Sequence, residues 1–218
     1  MDSLEPVELR TTSSIIADRI RGAVLDGTFG PGAQLGEAQL ANQLNVSRGP
    51  VREAMQRLIA EGLLRNERHR GVFVIELDES DVTDIYLARG AIEQAAARQL
   101  TGASDAAVLA ELDAKLHQMA EVVETGDWAK VAELDLQFHE TMIAATGSKR
   151  LIRMFRTLIS ETRLCLMTLE DAYPQRREVV DEHRDIVAAM RNGDADEVGD
   201  LLDAHFAHAV RHISGGRR

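Results

Sequence analysis

The sequence predicts a mainly α chain in two parts, a small α+β domain over residues 1–76 and an all-α antiparallel six-helix bundle over 77–218. Three observations predict it. Apolar residues recur at three- and four-residue spacing through most of the chain, the mark of amphipathic helices. Two short alternating runs between Leu63 and Glu76 read as strands, and nothing after them does. Charge divides at the same place: residues 1–75 carry nine Arg and nine Asp/Glu, whereas 76–218 carry 16 Lys/Arg and 27 Asp/Glu and hold the whole net charge of −11.

Ile16, Ile20, Ala23 and Val24 put a helix over residues 12–26. The glycine- and proline-rich segment GTFGPGAQL then reads as a turn or loop. A short helix follows from Glu37 to Leu44, with Leu40, Ala41 and Leu44 on one face. Asn45-Val46-Ser47 breaks it, and Ser47 is placed to cap the next helix, whose first turn tolerates Pro50. That helix runs to about Ala60 with Val51, Ala54, Met55 and Leu58 inward, and Gly62 ends it. Leu63–Asn66 and Val72–Glu76 flank the charged turn Glu67–Gly71 as a hairpin. From Asp78 onward, breaks near Thr101-Gly102, Gly126, Gly147-Ser148, Ala172–Pro174 and Asn192-Gly193 delimit six helices of roughly 17–24 residues.

Several classes are excluded on composition. No apolar run reaches the ~20 residues of a spanning helix. The acidic start MDSLEPVELR lacks the apolar core of a signal peptide. The single cysteine, Cys165, makes no internal disulfide and fits a reducing cytoplasm, and any metal site must use histidine and carboxylates.

Helix, short turn, helix and hairpin is the order of a winged helix-turn-helix, whose second helix enters the major groove of duplex DNA. Six arginines against three glutamates between Ser47 and Arg70 suit such a partner despite the acidic whole. On the second helix the apolar residues pack, which leaves Ser47, Arg48, Gly49 and Arg52 free. Arg48 and Arg52, four apart, share one face, where an arginine can fork onto the guanine O6/N7 edge or clamp a phosphate. The basic turn of Arg68, His69, Arg70 and Gly71 would follow the adjacent backbone or minor groove. A solvated arginine face, with Ser47 capping only, is the plainer alternative.

The stretch from Leu35 to Val74, including Val46-Ser47-Arg48, Pro50-Val51-Arg52-Glu53-Ala54, Glu61-Gly62 and Gly71-Val72-Phe73-Val74, resembles the DNA-binding domain of GntR-family bacterial transcription regulators. The resemblance implies operator contacts at Ser47, Arg48, Gly49 and Arg52 and at the turn holding Arg70 and Gly71. Ala38 departs from it, standing where an arginine often reaches a phosphate, which implies one fewer contact per half-site.

In the acidic part, polar residues fall on apolar stripes. Asp135 and His139, an i, i+4 pair, widen the stripe Val131, Leu134, Phe138, Met142. His183 lies among Val179, Ile186 and Met190, and His205 among Val198, Leu202 and Ala209. A buried lone histidine is commonly a satisfied core residue, but a buried aspartate without a partner is costly. One Asp and three His on facing helices resolve that cost together by holding a divalent cation, with zinc favoured and nickel, manganese or iron(II) also suited. His117, His208 and His212 lie off these stripes. Arg89 falls on the stripe Val82, Ile85, Ile92, Ala96, where it could form an i, i+4 pair with Glu93.

DLQFHETMIAATGS and EHRDIVAAMRNGDADEVGDLLDAHFAHAV, with YLARGAIEQAAA before them, look like the FCD ligand-sensing domain of the FadR subgroup. Six helices resemble its shorter, VanR-like branch. The resemblance implies metal ligation by Asp135, His139, His183 and His205, and an effector carboxylate at Arg89, with Arg163 and Arg184 as lesser candidates for that task. Ser148 stands where an asparagine is common. The expected protein is a cytoplasmic homodimer that is not an enzyme. It binds a two-fold symmetric double-stranded operator under control of a small carboxylate at a metal ion. The alternatives are a regulator that senses, or is braced by, metal alone, and an Asp/His3 metallohydrolase. The hydrolase lacks a general base beside the ligands and leaves the helix-turn-helix unexplained.

Overall fold

The computed structural model describes residues 10–103, 106–167 and 177–215. The chain divides into two compact units, Met1–Glu76 and Leu77–Arg218. The first holds α1 (Thr12–Leu25), β1 (Gln34–Leu35), α2 (Glu37–Leu44), α3 (Arg48–Ala60), β2 (Leu64–Glu67) and β3 (Gly71–Val74). The second holds α4 (Glu79–Ala103), α5 (Ala106–Thr125), α6 (Trp128–Ala145), α7 (Lys149–Met167), α8 (Arg177–Asn192) and α9 (Ala195–Gly215). The fold is mainly α, a winged helix-turn-helix and a helical unit, with six helices in the latter among the described residues.

In the first unit, Thr11 caps α1 by accepting from Ser14 N–H at 3.1 Å. Asn45 ends α2 in the left-handed region at φ 51, a conformation asparagine tolerates better than most residues. Buried Val51, Ala54, Met55 and Leu58 turn one face of α3 toward Ile16, Ile20 and Leu40 of the same core, which commits the opposite face to solvent. The sheet order is β1-β3-β2, all antiparallel, with Leu64 opposite Val74 and Gln34 opposite Phe73. The segment before Glu37 is therefore not wholly loop as its glycines and proline suggest: Gln34-Leu35 forms a third strand on β3. Two residues carry too little periodicity to announce a strand, and only the free edge of β3 makes one of them.

In the second unit α4 packs along α9, and α5 lies against α6 and α8. Asp78 opens α4 by accepting from Ser80 and Asp81 N–H at 2.8 and 2.9 Å, while the Asp81 carboxylate accepts from Asp78 N–H, a reciprocal cap. Asp127 caps α6 through Lys130 N–H at 3.0 Å. α4 ends at Ala103, one residue past the break expected near Thr101-Gly102, and α5 starts at Ala106, while the break expected at Ala172–Pro174 lies outside the described residues. Val82, Tyr86, Phe138, Met142, Ile186, Leu202 and Phe206 form one continuous core, and the polar centre is set among them. Cys165 is buried in that core. No described helix is long and apolar enough to cross a membrane.

Candidate functional site

The exposed face of α3 begins at Ser47, which has the extended backbone of a cap (φ −73, ψ 160) but makes no capping hydrogen bond with its side chain. The hydroxyl and the first-turn N–H groups are thus open to an anion. Arg48 is exposed and has no hydrogen-bond or ion-pair partner among the described residues, and Gly49 beside it is open, with nothing within 4 Å of where a Cβ would stand.

Arg52 departs from the sequence expectation. It is exposed but not free: Nε and Nη2 donate to the Glu37 carboxylate on α2 at 2.9 and 2.8 Å. The hydrogen bond with Arg52 holds Glu37 below its ordinary carboxylate range, and Glu37 in turn raises Arg52. The pairing crosses from one helix to the next, so the spacing within α3 gave no sign of it. The outer edge of the guanidinium, including Nη1, is left to face a base or a phosphate.

At the hairpin, Arg70 pairs with Glu67 at the end of β2, and its guanidinium carbon sits 5.3 Å from the centre of the Phe73 ring. His69 and Gly71 have φ 64 and 109. The Gly71 value is one that side chains rarely adopt, and a Cβ there would meet Gln34 Nε2 at 3.1 Å. That same Gln34 nitrogen donates to the Arg70 carbonyl at 2.6 Å and pins the turn to β1.

The second unit brings together all four residues singled out on its stripes. Asp135 and His139 from α6, His183 from α8 and His205 from α9 each offer a ligand atom, and these atoms all lie within 4.8 Å of one another. His183 Nε2 is 3.1 Å from Asp135 Oδ1 and 3.2 Å from His139 Nε2. His139 Nε2 is 4.0 Å from the same Asp135 oxygen. Ligands about 2.1 Å from a tetrahedral ion stand about 3.4 Å apart, so the donors are near the required spacing. The rings are also aimed. His139 Nδ1 is taken by Glu93 Oε2, His183 Nδ1 by the Val179 carbonyl at 2.6 Å, and His205 Nδ1 by Glu182 Oε2 at 2.7 Å. Nε2 of each is left for the centre, as metal-ligating imidazoles require. His139 and His183 are fully buried and His205 is 5% exposed.

Electrostatics follow from that burial. Burial, helped by the Arg89 charge, lowers His139 to about 4 against the pull of Glu93, so its ring is neutral near pH 7. Burial and the neighbouring His183 lower His205. Burial opposes charge at His183 most strongly of any single cause, but the hydrogen bond and charge of Asp135, with the Val179 carbonyl and Glu182, together outweigh it and raise it above the usual imidazole value. Burial likewise pushes Asp135 up, and its hydrogen bond to His183 together with the surrounding imidazoles holds it far below the usual carboxylate range. The centre thus holds an ionised Asp135 hydrogen-bonded to His183, beside two rings, His139 and His205, whose burial favours the neutral form.

Arg89 lies on α4, 1% exposed, and its Nε donates to Glu93 Oε1 at 2.8 Å. The expected i, i+4 pair is present, but Nη2 is buried with no hydrogen-bond partner. The guanidinium carbon lies 4.9, 5.1 and 5.9 Å from the rings of Phe206, Tyr86 and Phe155. Glu93 gives its second oxygen to His139, which leaves Nη2 over, and a donor of this kind suits an incoming carboxylate. Arg163 is committed to Glu133 at 3.0 Å, and Arg184 is exposed and paired with Asp181. Neither has the buried open donor of Arg89. Sequence reasoning missed Glu182, which joins His205 to His208, and the second contact of Glu93; Glu182 lies off the apolar stripes, and the second partner of Glu93 is on another helix, where spacing gives no signal.

Comparison with known proteins agrees with the two-unit order. Residues 12–74 match the family described as bacterial regulatory proteins, gntR family, and residues 84–208 match the FCD domain. The chain is 31% identical over 220 residues to the "Probable D-xylose utilization operon transcriptional repressor" of Paenarthrobacter nicotinovorans, covering 99% of this chain and 96% of that one. It is 27% identical over 201 residues to the gluconate operon transcriptional repressor of Bacillus licheniformis, covering 90% and 82%. Among solved structures, a transcriptional regulator GntR from Rhodococcus sp. RHA1 superposes with a TM-score of 0.77 at 32% identity, covering 94% of this chain and 99% of that one. E. coli McbR/YncC shares the fold, with a TM-score of 0.81 at 21% identity over 96% and 100%. With an N-terminal domain and a C-terminal domain that both match, the chain belongs to the GntR family of bacterial transcription regulators, of the kind that carries an FCD domain, and is not an enzyme.

Proposed function

We propose that this regulator binds a two-fold symmetric operator as a cytoplasmic homodimer, and that a small carboxylate bound beside a divalent cation in the second unit sets its operator affinity. Ser47, Arg48, Gly49 and Arg52 would meet the major groove, and Arg70 and Gly71 the flanking backbone or minor groove. Asp135, His139, His183 and His205 would hold the ion, zinc by preference, with nickel, manganese and iron(II) suited to the same donors. When bound, the ion supplies Lewis-acid sites for a ligand oxygen. Arg89 would anchor the carboxylate through its free Nη2. The names of relatives, which speak of operon repressors, favour repression as the mode.

The observation that carries the reading is the pairing of four convergent donors with a buried, unpartnered arginine donor in the same unit. An ordinary core has no reason to bury both. The test is operator binding by zinc-loaded protein with and without a panel of small mono- and dicarboxylates. A change of about 5-fold or more, the usual scale of coupling between sites, is expected from at least one acid. If no acid alters operator affinity but zinc alone does, the protein senses metal, and the four-residue centre favours that second reading.

A further inference from the structure

Glu93 is a buried carboxylate that stands between Arg89 and His139. It is 0% exposed, and its partners Arg89 and His139 are 1% and 0% exposed. Its two oxygens are divided: Oε1 accepts from Arg89 Nε at 2.8 Å, and Oε2 meets His139 Nδ1. The guanidinium is bordered by Tyr86, Phe155 and Phe206, and its Nη2, beside the Nε that Glu93 holds, has no hydrogen-bond partner. The imidazole of His139 has its other nitrogen at the four-residue centre, 3.2 Å from His183 Nε2.

The chemistry of a carboxylate makes this division demanding. It accepts on both oxygens and donates on neither. A neutral His139 must therefore carry its proton on Nδ1 and keep a lone pair on Nε2, the form that ligates a metal. A glutamine in the same place has one acceptor and one donor. If its NH2 group faces Nδ1, the ring proton moves to Nε2 and blocks the ligand position. If its oxygen faces Nδ1, the NH2 group opposes the Arg89 N–H. Only an ionised carboxylate serves both partners.

We propose that Glu93 is a positioning residue that ties Arg89 to the metal-facing nitrogen of His139, so that a carboxylate at Arg89 and a cation at the four-residue centre reinforce each other through one shared side chain. This deepens the function proposed above and rests on it. An anion at Nη2 of Arg89 takes up part of the guanidinium charge that now faces Glu93. More of the Glu93 charge is then left on the His139 N–H, which makes Nε2 the better donor. The coupling is positive, and linkage requires that metal tighten the carboxylate by the same factor.

The experiment measures zinc affinity by competition with a chromophoric chelator, for the wild type and Glu93→Gln, with and without saturating acetate. Alongside it, 15N NMR reads the His139 tautomer in the metal-free wild type. The proposal expects the Nδ1–H tautomer, zinc binding tightened about 5-fold or more by acetate, and a Glu93→Gln protein that binds zinc about 10–100-fold more weakly and no longer responds to acetate. A folded Glu93→Gln protein with wild-type zinc affinity overturns it, as does an acetate effect of equal size in both proteins. Should the variant fail to fold, the tautomer still decides, because an Nε2–H ring in the wild type removes the positioning role. A wild type that takes up no zinc overturns instead the metal reading on which the coupling depends.

Discussion

Replacing Arg89 by Met tests the buried polar chain in a way that needs neither metal nor DNA. The methionine fills a similar volume and keeps contact with the rings of Tyr86 and Phe206, so little packing is lost. What is lost is the cation beside Glu93, a carboxylate with no exposure to water. Breaking a buried pair by removing one partner costs about 3–5 kcal/mol, which for a unit of this size lowers the midpoint by about 10 °C. The deficit depends on pH. With Arg89 gone the folded variant gains a proton at the Glu93–His139 pair at a higher pH than the unfolded carboxylate would, so the deficit is largest at pH 8 and shrinks toward pH 5.5. Trp128, the single tryptophan, packs in the second unit and reports that unit alone. Urea titrations followed by its fluorescence in EDTA give the two values. Glu93→Gln added to Arg89→Met removes the orphaned charge and should restore most of the loss. An Arg89→Met protein within 1 kcal/mol of the wild type at pH 8 would refute the burial and pairing described for this chain of side chains.

The metal-free second unit should lose stability on mild acidification. His139 falls from the ordinary 6.5 to about 4 in the fold, so the unfolded state binds the extra proton between those values and up to about 3 kcal/mol is lost as pH drops through them. His183, raised by Asp135, has the opposite sign, its contribution being present below 6.5 and lost as pH rises through its folded value; urea midpoints from pH 4.5 to 8 for His139→Gln against the wild type isolate the first effect. In operator binding, Arg52→Ala should cost ~1–3 kcal/mol and relax sequence choice if its open edge reads guanine, whereas Arg48→Ala, unpaired at the start of α3, should weaken all duplexes alike and flatten the salt slope by about 0.9. Equal affinity of the double variant for operator would remove α3 as the reader. Ala38→Arg, on the exposed first turn of α2, should steepen that slope by about 0.9 per added phosphate contact, and an unchanged slope would show that this face does not meet the backbone.

Local signals in the sequence were sufficient for most elements and for the four-residue centre. The bounds of α2 and the inward set of α3 followed from turn chemistry at Asn45 and Ser47 and from the spacing of Val51, Ala54, Met55 and Leu58, all decided within a few residues. Asp135, His139, His183 and His205 were legible because a polar residue on an apolar stripe is conspicuous at helical spacing, and the packing of α6, α8 and α9 then brings the stripes together. What could not be read involves partners chosen by tertiary structure. Gln34-Leu35 becomes a strand only because β3 has a free edge. Arg52 finds Glu37 fifteen positions earlier, and Glu93 finds His139 forty-six positions later. Glu93 was visible only as the i, i+4 companion of Arg89, which is half of what it does.

X-ray absorption at the zinc edge, on protein loaded with one equivalent, would examine the proposed cation site directly. Three imidazole nitrogens at about 2.0–2.1 Å and one or more oxygens are expected in the wild type, with the imidazole count falling in His183→Gln. A spectrum without imidazole scattering, or one unaltered by His183→Gln, would contradict the assignment of Asp135, His139, His183 and His205 as ligands.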